Sequence, residues 1–173
     1  TSVHIGSGAG QSTQGTFAVA IGAYAGQTNQ GLQSVAVGYL AGVISQGQYA
    51  AAYGPGAGQT NQGENAVAIG RDAGGSTQGA SAIAIGYGAG ITNQHANSII
   101  LNASGSALNS STTNAFFVSP VRSAAGNYCI KYNTSTSEVS YDTAKTFVID
   151  HPDDENKYLV HACLEGPEAG VYY

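Results

Sequence analysis

The chain has 173 residues, of which 15 are charged, 25 are Gly and none is Met or Trp, and 11 of its 15 aromatics are Tyr. An ordinary globular domain carries roughly a quarter charged residues, so this composition argues against a doubly wound or helical enzyme; with 42% hydrophobic residues and a net charge of −5, it also excludes charge-driven disorder. The five Lys and Arg are too few to line a nucleic-acid groove, and no apolar run approaches the roughly 20 residues that span a bilayer, so neither nucleic acid nor membrane insertion is expected.

In chain order, Thr1 to Gly6 lack the basic region and apolar stretch of a signal peptide. The chain opens without Met and closes on the apolar Val171-Tyr172-Tyr173, which reads as a piece of something longer. A repeat then dominates. Gly6, Gly22, Gly38, Gly54, Gly70 and Gly86 are spaced by sixteen, and Asn102 stands where a seventh would fall, as an expected left-handed substitute for glycine. Each is preceded by a short apolar strand of the kind Val19-Ala20-Ile21 or Val67-Ala68-Ile69. Two variable residues later comes an Ala-Gly pair, from Ala9-Gly10 to Ala89-Gly90. A Gln column, Gln14, Gln30, Gln46, Gln62, Gln78 and Gln94, closes each unit and is followed by Gly in every unit except the last, where His95 takes its place.

Two strands and two glycine-marked turns every sixteen residues predict an all-β fold, a parallel β-roll or β-solenoid of 16-residue coils stacked about 4.8 Å apart. Seven coils make a rod roughly 30 Å long at that spacing. Helix is disfavoured, because the apolar residues alternate with period two. In Val19-Ala20-Ile21 one strand face is large and apolar and the other is Ala, so neither face is polar and both are expected to be covered. The reading places the stacked Val/Ile column inside, with the Ala9-type column beside it. So thin a coil cannot cover both faces alone, and self-association is the expected remedy, which would also protect open edges; a monomeric solenoid with one flat Ala/Gly face is the alternative.

The unit Ala18-Val19-Ala20-Ile21-Gly22 to Ala25-Gly26-Gln27-Thr28-Asn29-Gln30-Gly31 resembles the head repeats of the YadA-like trimeric adhesins, which build a left-handed parallel β-roll as an obligate trimer. It is similar also to the repeats of viral and phage fibre proteins that carry an endosialidase-type intramolecular chaperone at the C-terminus. The segments Asn114 to Arg122, Asn127 to Asn133 and Glu138 to Tyr141 resemble the strand-rich stretch after such repeats. Lys145 to Pro152 and Tyr158 to Glu168 look like the start of a next module in fibres of large DNA viruses and tailed phages. The resemblance implies a homotrimer, a place on the virion surface or outside the cell, or alternatively on a bacterial surface, and a host-surface glycan or protein as receptor.

Composition divides the chain in three. Residues 1–105 hold 22 of the 25 glycines and only three charges, Glu64, Arg71 and Asp72, and form the expected roll. Residues 106–144 are expected to be linker and hairpin, the turn falling at Asn133 to Ser137. Residues 145–173 supply two further strands around the polar stretch Asp150 to Lys157.

Reactive constellations are sparse, and no catalytic, cofactor or metal residue is assigned. Asp150, His151, Asp153, Asp154 and Glu155 could hold a hard cation, but they lack the spacing of an EF-hand loop and read better as a solvated acidic turn. His161 and Cys163 lack a second ligand pair for zinc within the chain. Cys129 and Cys163 make no disulfide framework and read as free thiols. Gly6-Ser7-Gly8-Ala9-Gly10 has the glycines of a phosphate loop but no Lys after them, and its glycines recur as turns. The sequons at Asn102, Asn109 and Asn133 are expected by chance in so Asn-, Ser- and Thr-rich a chain.

The variable positions between the Gly22-type and Ala25-type columns are more informative. They place Tyr24, Tyr39, Arg71 and Tyr87 on an expected exposed surface suited to stacking on sugar rings or protein loops, although such residues can equally just cap the turns. The leading expectation is a non-enzymatic, homotrimeric fibre or spike segment of a virion that supports host attachment. A bacterial trimeric adhesin head is the first alternative. A monomeric ice-binding or matrix solenoid is suggested by Thr28, Thr60 and Thr92 in one column, which Ile44 breaks. A depolymerising tailspike would need paired carboxylates, and the roll offers only Glu64 and Asp72.

Overall fold

The computed structural model of the protein describes residues 1–123, 129–142, 146–150 and 158–162, in two units, Thr1–Val121 and Arg122–Tyr173. In the first unit each coil contributes two three-residue strands. They are β1 (Val3–Ile5) and β2 (Ser12–Gln14), β3 (Val19–Ile21) and β4 (Thr28–Gln30), and β5 (Val35–Val37) and β6 (Ile44–Gln46). Then come β7 (Ala51–Tyr53) and β8 (Thr60–Gln62), β9 (Val67–Ile69) and β10 (Ser76–Gln78), and β11 (Ile83–Ile85) and β12 (Thr92–Gln94). The longer β13 (Ile99–Asn102) and β14 (Phe116–Ser119) complete the unit.

Odd-numbered strands up to β13, followed by β14, stack into an eight-stranded sheet, and the even-numbered strands β2 to β12 into a six-stranded one. All pairings in these two sheets are parallel, and up to β13 they are offset by one repeat, as in Val19↔Val35, Ala20↔Ala36 and Ile21↔Val37. The expected β-solenoid of 16-residue coils is therefore present, and no helix occurs among the described residues.

The interior differs from expectation. Ala20, Ala36, Ala52, Ala68 and Ala84 are fully buried and meet Ala25, Ala41, Ala57, Ala73 and Ala89 from the turn, while the Val and Ile of the same strands point outward. The reason is lateral space. Only the short turn Gly22 to Gly26 separates the strand from its return path, and the amide of Gln30 already fills the gap. A Cβ added to Gly26 would come within 2.5 Å of Gln30 Oε1 and 3.2 Å of Ala20 Cβ. Between such close layers Ala fits and Val or Ile does not.

The Gln column is also interior. Gln62 Nε2 donates to the carbonyls of Ala51 at 2.9 Å and Ala66 at 3.4 Å, and to Gln78 Oε1 at 3.1 Å. Gln46 donates in the same way to Gln62 and Gln78 to Gln94, both at 3.0 Å. A chain of amides thus runs along the rod from Gln46 to Gln94, each giving a second donor to a carbonyl that already has a backbone partner, as Ala66 O accepts from the Ala51 N–H at 2.9 Å. The Oε1 atoms of Gln14, Gln30 and Gln46 are buried without a hydrogen-bond partner.

At the turn glycines, adjacent coils touch backbone to backbone. Gly54 has φ of +124°, and a Cβ there would stand 2.9 Å from the carbonyl carbon of Gly70. Asn102 does not continue this column as a left-handed residue, as its place in the repeat suggests: its φ is not positive. It ends the column instead, its Nδ2 donating to the carbonyls of Tyr87 at 2.7 Å and Ser106 at 2.6 Å.

The roll closes by substituting larger side chains in the Ala columns. Ile100 stands in register with Ala84 and is fully buried, and Leu108 and Phe117 pack against the same core. Residues 103–114 take the path of a further coil, Gly90 donating to Leu108 O at 2.7 Å and Leu108 to Gly88 O at 3.1 Å. β14 then joins β13 with Ile99↔Phe116 and Leu101↔Val118 in register, so the roll continues past residue 105.

In the second unit, β15 (Cys129–Asn133) and β16 (Glu138–Asp142) form the expected antiparallel hairpin, its turn fixed by Asn133 Oδ1, which accepts from the N–H groups of Ser135 at 2.9 Å and Thr136 at 3.2 Å. β17 (Thr146–Asp150) pairs with β18 (Tyr158–Ala162), also antiparallel. His151, Asp153, Asp154 and Glu155 of the acidic cluster, and Cys163, lie outside the described residues.

Candidate binding surfaces

Turning Ala inward exposes the other strand face along the whole eight-stranded sheet. Val3, Ile5, Tyr53, Ile69, Ile85, Ile99, Leu101, Phe116 and Val118 are exposed, and Val19, Ile21, Val35, Val37, Val67 and Ile83 are half-buried. In-register stacking merges them into one apolar stripe, roughly 34 Å long at ~4.8 Å per strand, with no charged residue among its strand positions. A continuous stripe of this kind differs from the singly scattered apolar residues of any protein surface.

The second surface is the turn after that strand. Tyr39, Pro55, Arg71 and Tyr87 occupy one position in four successive coils, and backbone bonds tie the coils together there. Gly56 N–H donates to Tyr39 O at 2.9 Å, Asp72 N–H to Pro55 O at 2.9 Å and Gly88 N–H to Arg71 O at 3.0 Å. The guanidinium carbon of Arg71 sits 4.2 Å from the centroid of the Tyr87 ring, a cation–π distance. Of the residues singled out from sequence, Tyr39, Arg71 and Tyr87 are brought together in this column. Tyr24 lies one position further on in an earlier coil, where its ring lies over Gly8: a Cβ there would meet Tyr24 Cδ1 at 2.8 Å. Gly6, Gly22, Gly38, Gly54, Gly70 and Gly86 all have positive φ, at the start of the turns they were expected to make.

The third surface is the outer side of the six-stranded sheet. Its middle residues, Thr13, Asn29, Ser45, Asn61, Thr77 and Asn93, all have positive φ. Every second coil thus uses Asn, the non-Gly residue best suited to that conformation.

One contact had no sequence signal beyond His95 replacing a glycine. Ser110 Oγ accepts from the His95 backbone N–H at 2.8 Å and lies 2.9 Å from His95 Nδ1. Since Oγ accepts one of these bonds and is nearly buried, the pair serves to fasten the closing loop to the last full coil. Among the described residues no group of three His, Cys, Asp or Glu is placed to hold a metal ion.

Fold and surfaces together define the class, a parallel β-solenoid with one apolar side and one aromatic ladder. Comparison with protein-family models, curated proteins and solved structures gave no match.

Proposed function

We propose that the chain is a non-enzymatic structural segment of a virion fibre or spike that associates with two further copies of itself and supports attachment to a host surface. The observation that carries this reading is the continuous apolar stripe on the eight-stranded sheet. It runs parallel to the rod axis, so a second and third roll can pack against it side by side without ending the stack. Burial of apolar surface stabilises such an assembly by about 25 cal/mol per Å², and the stripe supplies no charge to oppose it. The number three comes from the resemblance to trimeric head repeats, and the same geometry would serve a bacterial adhesin head.

The test is the mass in solution by light scattering. The proposal expects three times the 17.4 kDa of one chain, and expects Ile69→Asp with Ile85→Asp to give monomer or unfolded chain by burying unpaired charge. A wild-type monomer at micromolar concentration would overturn it.

A further inference from the structure

We propose that the ladder of Tyr39, Pro55, Arg71 and Tyr87 is a binding site for a carboxylated oligosaccharide; this rests on the attachment reading and names the ligand class it would serve. The ladder is not a requirement of the turn. Earlier coils place Ser7 and Ala23 at the same position and make the same backbone bonds, Tyr24 N–H to Ser7 O at 2.8 Å and Leu40 N–H to Ala23 O at 3.0 Å. Large side chains here therefore contribute nothing the fold needs.

They are also presented to solvent. Tyr39 is 57% and Tyr87 39% exposed, and the Arg71 side chain is 62% exposed. Arg71 is the one Lys or Arg in residues 1–121, and it lies on a ring instead of being dispersed in water. Its carboxylate neighbour, Asp72 Oδ2, stands 3.8 Å from Nε, which is beyond hydrogen-bond length. The Nη edge makes no hydrogen bond among the described residues and is free to take a carboxylate in the bidentate geometry that arginine favours.

Spacing and size select the ligand. Coils about 4.8 Å apart set Tyr39 and Tyr87 roughly 14 Å apart along the ladder, room for a short run of pyranose rings, their apolar faces against Tyr and Pro and one acid group at Arg71. A folded protein partner would need about 800 Å² per side, more than a strip one side chain wide provides. A polyphosphate chain needs clustered cations, and one Arg in a chain of net charge −5 does not supply them. A neutral glycan would leave the Arg unused.

The test is titration of the whole chain with tetragalacturonate, with α2,8-linked tetrasialate and with maltotetraose as the neutral control, followed by calorimetry. The expected result is salt-sensitive binding of at least one acidic probe, none of maltotetraose, and loss of about tenfold or more in affinity for Arg71→Gln and for Tyr87→Ala. Tyr49→Ala, also exposed but in the other turn, should bind like wild type. All the substituted side chains are exposed, and an unchanged melting temperature confirms that each variant is folded. Failure of both acidic probes at millimolar concentration, equal binding of maltotetraose, or full affinity in Arg71→Gln overturns the proposal. Light scattering on the same samples separates the two readings. A trimer that binds neither acidic probe loses this site and keeps the fibre, whereas a monomer that binds one through Arg71 keeps the site and loses the fibre.

Discussion

At Gly54 the backbone is held at φ +124° and faces Gly70 of the next coil at a separation that leaves no room for a methyl group. Two costs fall on one atom there, the conformation itself and the overlap. Gly54→Ala should therefore destabilise the roll by about 2–4 kcal/mol. Gly105 is the internal control, with φ of +77° and nothing within 4 Å of an added Cβ, so Gly105→Ala should cost about 1–2 kcal/mol through conformation alone. Chemical denaturation of both variants measures the difference, and equal losses would show that contact between coils is not what keeps Gly at this column. The column itself was legible in sequence because nothing else tolerates that position sixteen residues apart. Its terminator was not: Asn102 looked like a left-handed residue, and only the carbonyls of Tyr87 and Ser106 around its amide reveal it as the group that closes the column.

A three-residue strand such as Val67-Ala68-Ile69 tells which residues share a face and does not tell which face is inside. The usual guide, that the larger apolar residues go in, fails because the distance between the two layers is fixed elsewhere, by the length of the turn and by the buried Gln62 and Gln78 amides that span the gap. The sequence displayed the Gln column plainly, yet a polar residue gave no reason to place it in the interior until its hydrogen bonds to Ala51 O and its neighbouring Gln were seen. The candidate surface was more legible, since Tyr39, Arg71 and Tyr87 stood at a variable position of an otherwise constant repeat. Their contact was not, because which of two neighbouring side chains leans on the other is decided by rotamers. The face assignment predicts that Ala68→Val costs about 1–3 kcal/mol by overpacking, while Val67→Ala, on the outer face, leaves the stability of an isolated chain within about 1 kcal/mol. Thermal melting under conditions where the chain is monomeric distinguishes the two, and the reverse order would put Val and Ile back inside.

For the molecule as a whole, each coil contacts only its neighbours, and stability is close to a sum of coil and interface contributions. Removing residues 31–46, one full repeat, should leave a folded roll shorter by about 4.8 Å with unchanged circular dichroism per residue. Removing Leu32 alone should cost far more, because every residue beyond it in that coil loses its backbone partner until the next turn absorbs the offset. Small-angle scattering and melting temperature read the two outcomes, and a whole-repeat deletion that unfolds the chain would mean that the coils are not interchangeable.

The Gln amides have a further consequence. From Gln46 to Gln94 each passes its hydrogen bond the same way, toward the C-terminal end, where Ser98 Oγ and Ser98 O meet the last Nε2. Among the described residues, the buried Gln acceptors left over, those of Gln14, Gln30 and Gln46, all lie in the N-terminal half of the column. With every strand of the two large sheets parallel, the rod is vectorial: its ends are chemically unlike, and a head-to-head junction would oppose like groups. In the proposed assembly, copies lying side by side with stripes and ladders aligned would point the same way, which would give it a base and a tip.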